Sequence, residues 1–218
     1  MSEPSDLSSS VCVCVCVCVE GTCSLNLLLC PEMLAPPAPV RFHSVDYKNV
    51  LHWSPPNNGS SLQYHVQWKI YGEPEWLDVD RCQGVQRLDC DLSGVTSDPR
   101  EWYYARVRAV SPSTSSQSAW ALSPRFSPRM DTIISPPGLR VNFTERGIMV
   151  RVNPPRMHVR RMRNLLRYKI YIIPSSGEEV RVKAFHYYKY TYCLQAQTVI
   201  PTQTKSSARS RLQCGTTV

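Results

Sequence analysis

Between Gln63 and Tyr71 the side chains alternate. Tyr64, Val66, Trp68 and Ile70 share one face, while His65, Gln67, Lys69 and Tyr71 share the other, the pattern of a strand with one dry side. Similar short runs recur along the chain, divided by turn residues at the spacing of a β-sandwich. In the first half they predict strands at Val40–Tyr47, Asn49–Trp53, Gln63–Tyr71, Glu75–Val79, Arg87–Leu92, Trp102–Val110 and Ala119–Phe126. Thr132-Ile-Ile-Ser-Pro-Pro137 reads as a linker, after which the pattern restarts at Leu139–Phe143, Gly147–Val152, Leu166–Ile173, Glu179–Phe185, Tyr188–Thr198 and Ala208–Gln213. Pro55-Pro56 and Pro154-Pro155 each close the second run of their half and mark an internal repeat of about 100 residues. No segment carries sustained helical spacing. The expected class is all-β, two tandem sandwiches, the second with room for six strands and therefore incomplete or missing an exon.

The pattern also sets domain limits. Residues 1–34 are a low-complexity or signal-like leader, 35–131 the first domain, 132–137 the linker and 138–218 the second domain. Within the leader, Val11–Val19 alternates Val and Cys, as a GTGTGT repeat would encode, and follows the acidic start MSEPSD. A signal-peptide apolar region is the competing explanation, although such a region normally follows basic residues. No structure is assigned to the leader.

Six of the ten cysteines lie in that leader. The other four, Cys82, Cys90, Cys193 and Cys214, fall as one close pair in each half and suggest one disulfide per domain, which places the chain in an oxidising compartment. The sequons Asn58-Gly-Ser and Asn142-Phe-Thr agree with a secreted, glycosylated protein. No CxxC or HxxxH spacing supports zinc, and Asp78, Asp80, Asp89 and Asp91 lack a calcium-loop spacing. No metal or cofactor is expected. The chain has no GxSxG, HExxH or phosphate-binding glycine loop, so no enzymatic chemistry is expected either. No apolar run reaches the length of a membrane span.

Charge is distributed unevenly. Residues 1–131 carry ten Lys/Arg and fourteen Asp/Glu, while residues 132–218 carry fifteen Lys/Arg and three Glu. The second half is thus at +12 and could face a polyanion. Nucleic acid is not expected, because no reader motif accompanies the charge. The cluster Arg156, Arg160, Arg161 and Arg163, with His158 and Arg167, is either a solvated loop or a heparan sulfate contact.

Several motifs resemble a known family. Leu51-His-Trp53-Ser-Pro-Pro56, Tyr64-His-Val-Gln-Trp-Lys-Ile-Tyr-Gly72, Arg87-Leu-Asp-Cys-Asp-Leu92 and Thr96-Ser-Asp98 are similar to class II cytokine receptor ectodomains. Tyr103-Tyr-Ala-Arg-Val-Arg-Ala109, Ser123-Pro-Arg-Phe-Ser-Pro128 and the two cysteine pairs extend the likeness. It runs almost unbroken from Val40 to Pro137 and is patchier beyond. It implies fibronectin type III-like (immunoglobulin-like) modules and a soluble, secreted receptor that binds an interleukin-22-like helical cytokine as a decoy. The implied contacts are elbow loops: Tyr71, Gly72 and Glu73, then Thr96, Ser97 and Asp98, with Ser111–Gln117, Arg156–Asn164 and Val199–Ser206 as further candidates. Trp53 and Trp68 belong to the core, and Arg106 and Arg108 are expected to stack on Trp102 or Trp120. The alternatives are an extracellular glycosaminoglycan-binding adhesion module and the truncated ectodomain of a membrane-anchored receptor.

Overall fold

A computed structural model of the protein describes residues 16–19, 22–25, 34–56, 61–144, 147–174 and 191–216. The chain forms two compact units, Met1–Met33 and Leu34–Val218. In the first, β1 (Cys16–Val19) pairs antiparallel with β2 (Thr22–Leu25). This corrects the expectation of an unstructured leader. Alternating β-branched residues form strands once a partner run is near, and Thr22–Leu25 supplies one.

The second unit contains both sandwich modules. In the first module, β3 (Val40–Val45), β4 (Lys48–Trp53) and β7 (Asp89–Asp91) form one sheet. The facing sheet orders β6 (Leu77–Asp78), β5 (Gln63–Ile70), β8 (Tyr103–Val110) and β9 (Ala121–Leu122). Between them Leu51, Trp53, Tyr64, Val66, Leu92 and Val107 are buried around Cys82 and Cys90. Trp53 is core as expected, and the half-buried Trp68 packs against the same cluster.

In the second module, β10 (Gly138–Thr144) and β11 (Gly147–Asn153) pair as a hairpin. The other sheet centres on β13 (Thr191–Ile200), with β12 (Arg167–Pro174) on one side. On its other side β13 pairs first with β14 (Lys205–Arg209) and then with β15 (Gln213–Thr216). The single last strand expected at Ala208–Gln213 is thus two pieces. Gly215 gives β15 its close approach to β10, since a Cβ there would collide with the Phe143 ring. The run expected at Glu179–Phe185, and with it the strand count of this module, lies outside the described residues. Both disulfides, Cys82–Cys90 and Cys193–Cys214, are formed.

The first strand ends earlier than expected. Asp46 and Tyr47, read as its last residues, have φ of 52° and 66° and make the two-residue turn between β3 and β4. Two consecutive left-handed residues define the hairpin turn whose twist suits flanking strands. Tyr47 is fully buried, yet not in its own module: it packs with Ile134, Met157, Met162, Leu166 and Ile200. The turn is therefore a plug seated in the second module.

The stretch expected as a linker is bonded on both sides of this plug. Ile133 accepts from the Asp46 amide at 2.9 Å, and its own amide donates to Ser44 O at 2.9 Å. Asp46 Oδ1 accepts from the Ser135 amide at 2.8 Å, and Ser135 O accepts from the Thr198 hydroxyl at 3.1 Å. Just before it, the single-turn helix α1 (Pro128–Asp131) is capped by Lys205, whose ammonium donates to Met130 O at 2.8 Å and Thr132 O at 2.6 Å. A connection held this way is a joint of fixed geometry rather than a free tether.

Candidate functional site

β5 ends at Ile70 and the chain reverses through Tyr71, Gly72 and Glu73. The Glu73 amide donates to Ile70 O at 3.1 Å, and Gly72 takes φ +95° at the third position. This is the turn type that requires a left-handed residue there, hence glycine. Tyr71 occupies the second position and projects its ring outward, 57% exposed. Its backbone is fixed from the neighbouring strand end, where Trp102 O accepts its amide hydrogen at 2.7 Å. The ring is oriented as well. The Arg125 guanidinium lies 5.5 Å from its centroid and 4.2 Å from that of Trp102, while Tyr104 stands 6.2 Å away at 49°. Arg125 was not picked out from sequence. Within Ser123-Pro-Arg-Phe-Ser-Pro128 nothing local indicates that it will sit between two rings.

Thr96, Ser97 and Asp98 have three different positions. Thr96 is fully buried, and its hydroxyl donates to Leu92 O at 2.8 Å while accepting from Asn49 Nδ2 at 2.8 Å. It therefore cannot offer its side chain to a partner, which corrects its place among the contact residues. Ser97 is exposed. Asp98 is half-buried and gripped by Arg100, with Nη2 to Oδ2 at 2.7 Å and Nε to Oδ1 at 3.1 Å. Those bonds hold its carboxyl down at about 2. The loop is tied to the Tyr71 side of the sandwich through Tyr103, whose hydroxyl donates to Asp98 O at 3.1 Å. Burial, the largest influence on that phenol, pushes it up to about 12.

The same loop meets the second module. Arg161 Nη2 lies 3.5 Å from Asp98 Oδ1 and donates to Ser97 O at 3.4 Å. Arg161 was expected among the heparan sulfate contacts; here it is a strap between modules. Arg156, Arg160 and Arg163 are exposed. Val199–Ser206 is also at the joint, where Gln203 Oε1 accepts from the Tyr47 hydroxyl at 2.6 Å. Ser111–Gln117 is not. It joins the far end of β8 from Tyr103, about 23 Å away along a strand of that length, at the end of the module opposite the joint.

Elsewhere the arginines of β8 stack as the alternation implied. Arg106 lies 4.2 Å from Trp76 and 4.5 Å from Trp120, and Arg108 lies 4.8 Å from Trp120. Trp102 instead takes Arg125. Asn142 is exposed on β10, whereas Asn58 lies outside the described residues. Among the described residues no group of three His, Cys, Asp or Glu side chains could hold a metal, and no helix is long and apolar enough to cross a membrane.

Comparison with known proteins adds two family matches. Residues 9–118 match the tissue factor family, and residues 132–218 match the interferon-alpha/beta receptor fibronectin type III family. Human interleukin-20 receptor subunit alpha is 31% identical over 206 residues, which covers 85% of this chain but only 37% of that protein. Rat interleukin-22 receptor subunit alpha-2 is 34% identical over 202 residues, covering 82% of this chain and 86% of that one. Among solved structures, the chicken interferon gamma receptor alpha chain superposes with a TM-score of 0.74 at 20% identity, over 84% of this chain and 98% of that one. That likeness carries the fold, two fibronectin type III-like modules in tandem.

Proposed function

The chain belongs to the class II cytokine receptor family, and from that premise we propose that it binds an interleukin-22-like helical cytokine outside the cell and acts as a decoy. The observation that carries this reading is Tyr71: a large, exposed ring on a glycine turn, held in one orientation at the end of the module that meets its neighbour. A ring with few rotors, already positioned, loses little entropy on binding and is the usual type of hot spot. Glu73 lies exposed on the same turn, and Ser97 lies exposed on the loop anchored by Thr96 and Asp98. An interface of ordinary size, about 1,600 Å² in total, would extend beyond these loops. Both disulfides suit the oxidising surroundings in which such a receptor works.

As a decoy, the protein occupies the cytokine face that a signalling receptor would use. The 34% identity to rat interleukin-22 receptor subunit alpha-2 supports the proposed cytokine class. The test is surface plasmon resonance with immobilised interleukin-22, paired with a reporter-cell assay. Tyr71→Ala is expected to lose about 2 kcal/mol of binding, roughly thirtyfold, and its ability to silence the reporter. A loss of less than tenfold removes Tyr71 from the site. One observation favours a second reading, the ectodomain of a membrane-anchored receptor: the match covers only 37% of human interleukin-20 receptor subunit alpha. A transmembrane exon at the 3′ end of the transcript would decide for that reading.

A further inference from the structure

From Arg156 to Arg167 the chain sets five arginines and His158 among Met157, Met162 and Leu166. The three apolar side chains are buried in the joint with Tyr47 and Ile200. Their insertion, and the 3-10 turn Arg160–Leu165 between them, turn every arginine of the segment outward. Arg161 is engaged by Asp98, and Arg167 donates to Asn164 O and Leu166 O. Arg156, Arg160 and Arg163 have no salt bridge among the described residues. They lie within a half-chain of charge +12.

We propose that this ridge is a binding surface for a linear sulfated polysaccharide. Guanidinium forks match sulfate and carboxylate oxygens in pairs. Because the backbone beneath them is pinned by buried methionines, less ordering entropy opposes binding than on a loose loop. The ridge does not fit the other polyanions. A membrane-surface segment turns several apolar side chains to the same side as its flanking cations, whereas Met157, Met162 and Leu166 face inward and Leu165 alone of the large apolar side chains is exposed among the arginines. Single-stranded nucleic acid needs rings on which bases stack, and no Phe, Tyr or Trp lies between Arg156 and Arg167.

The experiment is heparin affinity chromatography of the protein alone. With no cytokine present, its outcome is independent of the cytokine-binding reading. The unmodified protein is expected to elute above physiological ionic strength, about 0.15 M. The triple variant Arg156→Ser, Arg160→Ser, Arg163→Ser should elute earlier, its log–log salt slope shallower by about two, at roughly 0.7 per cation. The corresponding triple Lys variant keeps the charges and should keep the slope. Desulfated heparin should compete poorly, and phosphatidylserine vesicles should not retain the protein. Elution below physiological salt, or equal competition by desulfated heparin, overturns the proposal. So does retention on the vesicles as strong as on heparin, or a slope that the Ser variant leaves unmoved. If the Ser variant fails to fold, the Lys variant and the competition with unmodified protein still decide.

Discussion

Asp98 shows how one carboxylate in a proposed contact loop serves structure in both modules. Its main partner is Arg100, two residues on, while Arg161 reaches it from the second module. The folded carboxyl is lowered to about 2 from an ordinary 3.8, chiefly by the Arg100 hydrogen bond and only in minor part by Arg161. A depressed carboxyl stabilises the fold fully above its unfolded value, and that contribution is lost as pH falls through the folded one. The window is therefore acid, from about pH 4 down to about pH 2. The effect is small, because the pair is largely exposed and screened by salt. An NMR titration of the Asp98 carboxyl is expected to show a midpoint near 2. Arg100→Ala should raise it most of the way to the ordinary value, and Arg161→Ala only slightly. A larger rise with Arg161→Ala would mean that the strap between modules, not the local grip, governs the group.

At the scale of elements, both modules hold an irregular edge with the same device. Ser118 and Ser123 accept the amide hydrogens of Ala109 and Ala105, at 2.9 and 3.1 Å, and donate onward to Ala119 O and Pro124 O. Ser207 and Ser210 treat Thr198 and Ala196 alike, at 3.0 and 2.9 Å. Each hydroxyl stands in for a carbonyl that the broken ladder no longer supplies. Ser210→Ala leaves a buried amide unpaired and is expected to cost about 1–2 kcal/mol, seen as faster hydrogen exchange at Ala196; unchanged exchange there would refute the device. Strands such as β5 and β8 were legible in the sequence because alternation is local. The serine edges were not, since a polar residue near a strand end reads as loop. The Asp46-Tyr47 turn was hidden because tyrosine is no turn former and its partners lie 85 or more positions away. Thr96 was misread for a related reason: only the fold shows that Asn49 lies over it. The turn at Tyr71-Gly72 was legible because a ring before a turn glycine is a local signal.

At the scale of the whole molecule, the joint decides whether the Tyr71 surface is presented in one geometry. Interfaces between domains are commonly mobile unless apolar and well packed, and this one is both: Tyr47 fills the gap between Met157, Met162 and Ile200. Its backbone is held as well, the amide donating to the Thr132 hydroxyl at 3.0 Å. Around the plug, the Arg129 guanidinium donates to Thr202 O at 3.3 Å and the His158 backbone amide to Asp46 O at 2.9 Å. Removing the ring should cost about 3–5 kcal/mol, the range for a buried aromatic reduced to alanine, while the first module keeps its own core and both disulfides stay in place. The loss therefore falls on the joint and on the second-module cluster that Tyr47 completes, rather than on the first module's fold. In urea the unmodified protein is expected to unfold in one transition, and Tyr47→Ala in two, since separable domains lose two-state behaviour. Small-angle scattering of the variant should report a broader spread of dimensions, and interleukin-22 binding should weaken with Tyr71 untouched. Tyr47→Phe, which loses only the hydroxyl bond to Gln203, should shift the midpoint by the equivalent of about 1 kcal/mol and keep one transition. If Tyr47→Ala still unfolds in a single step with unaltered scattering, the linker bonds alone set the geometry and the plug is dispensable.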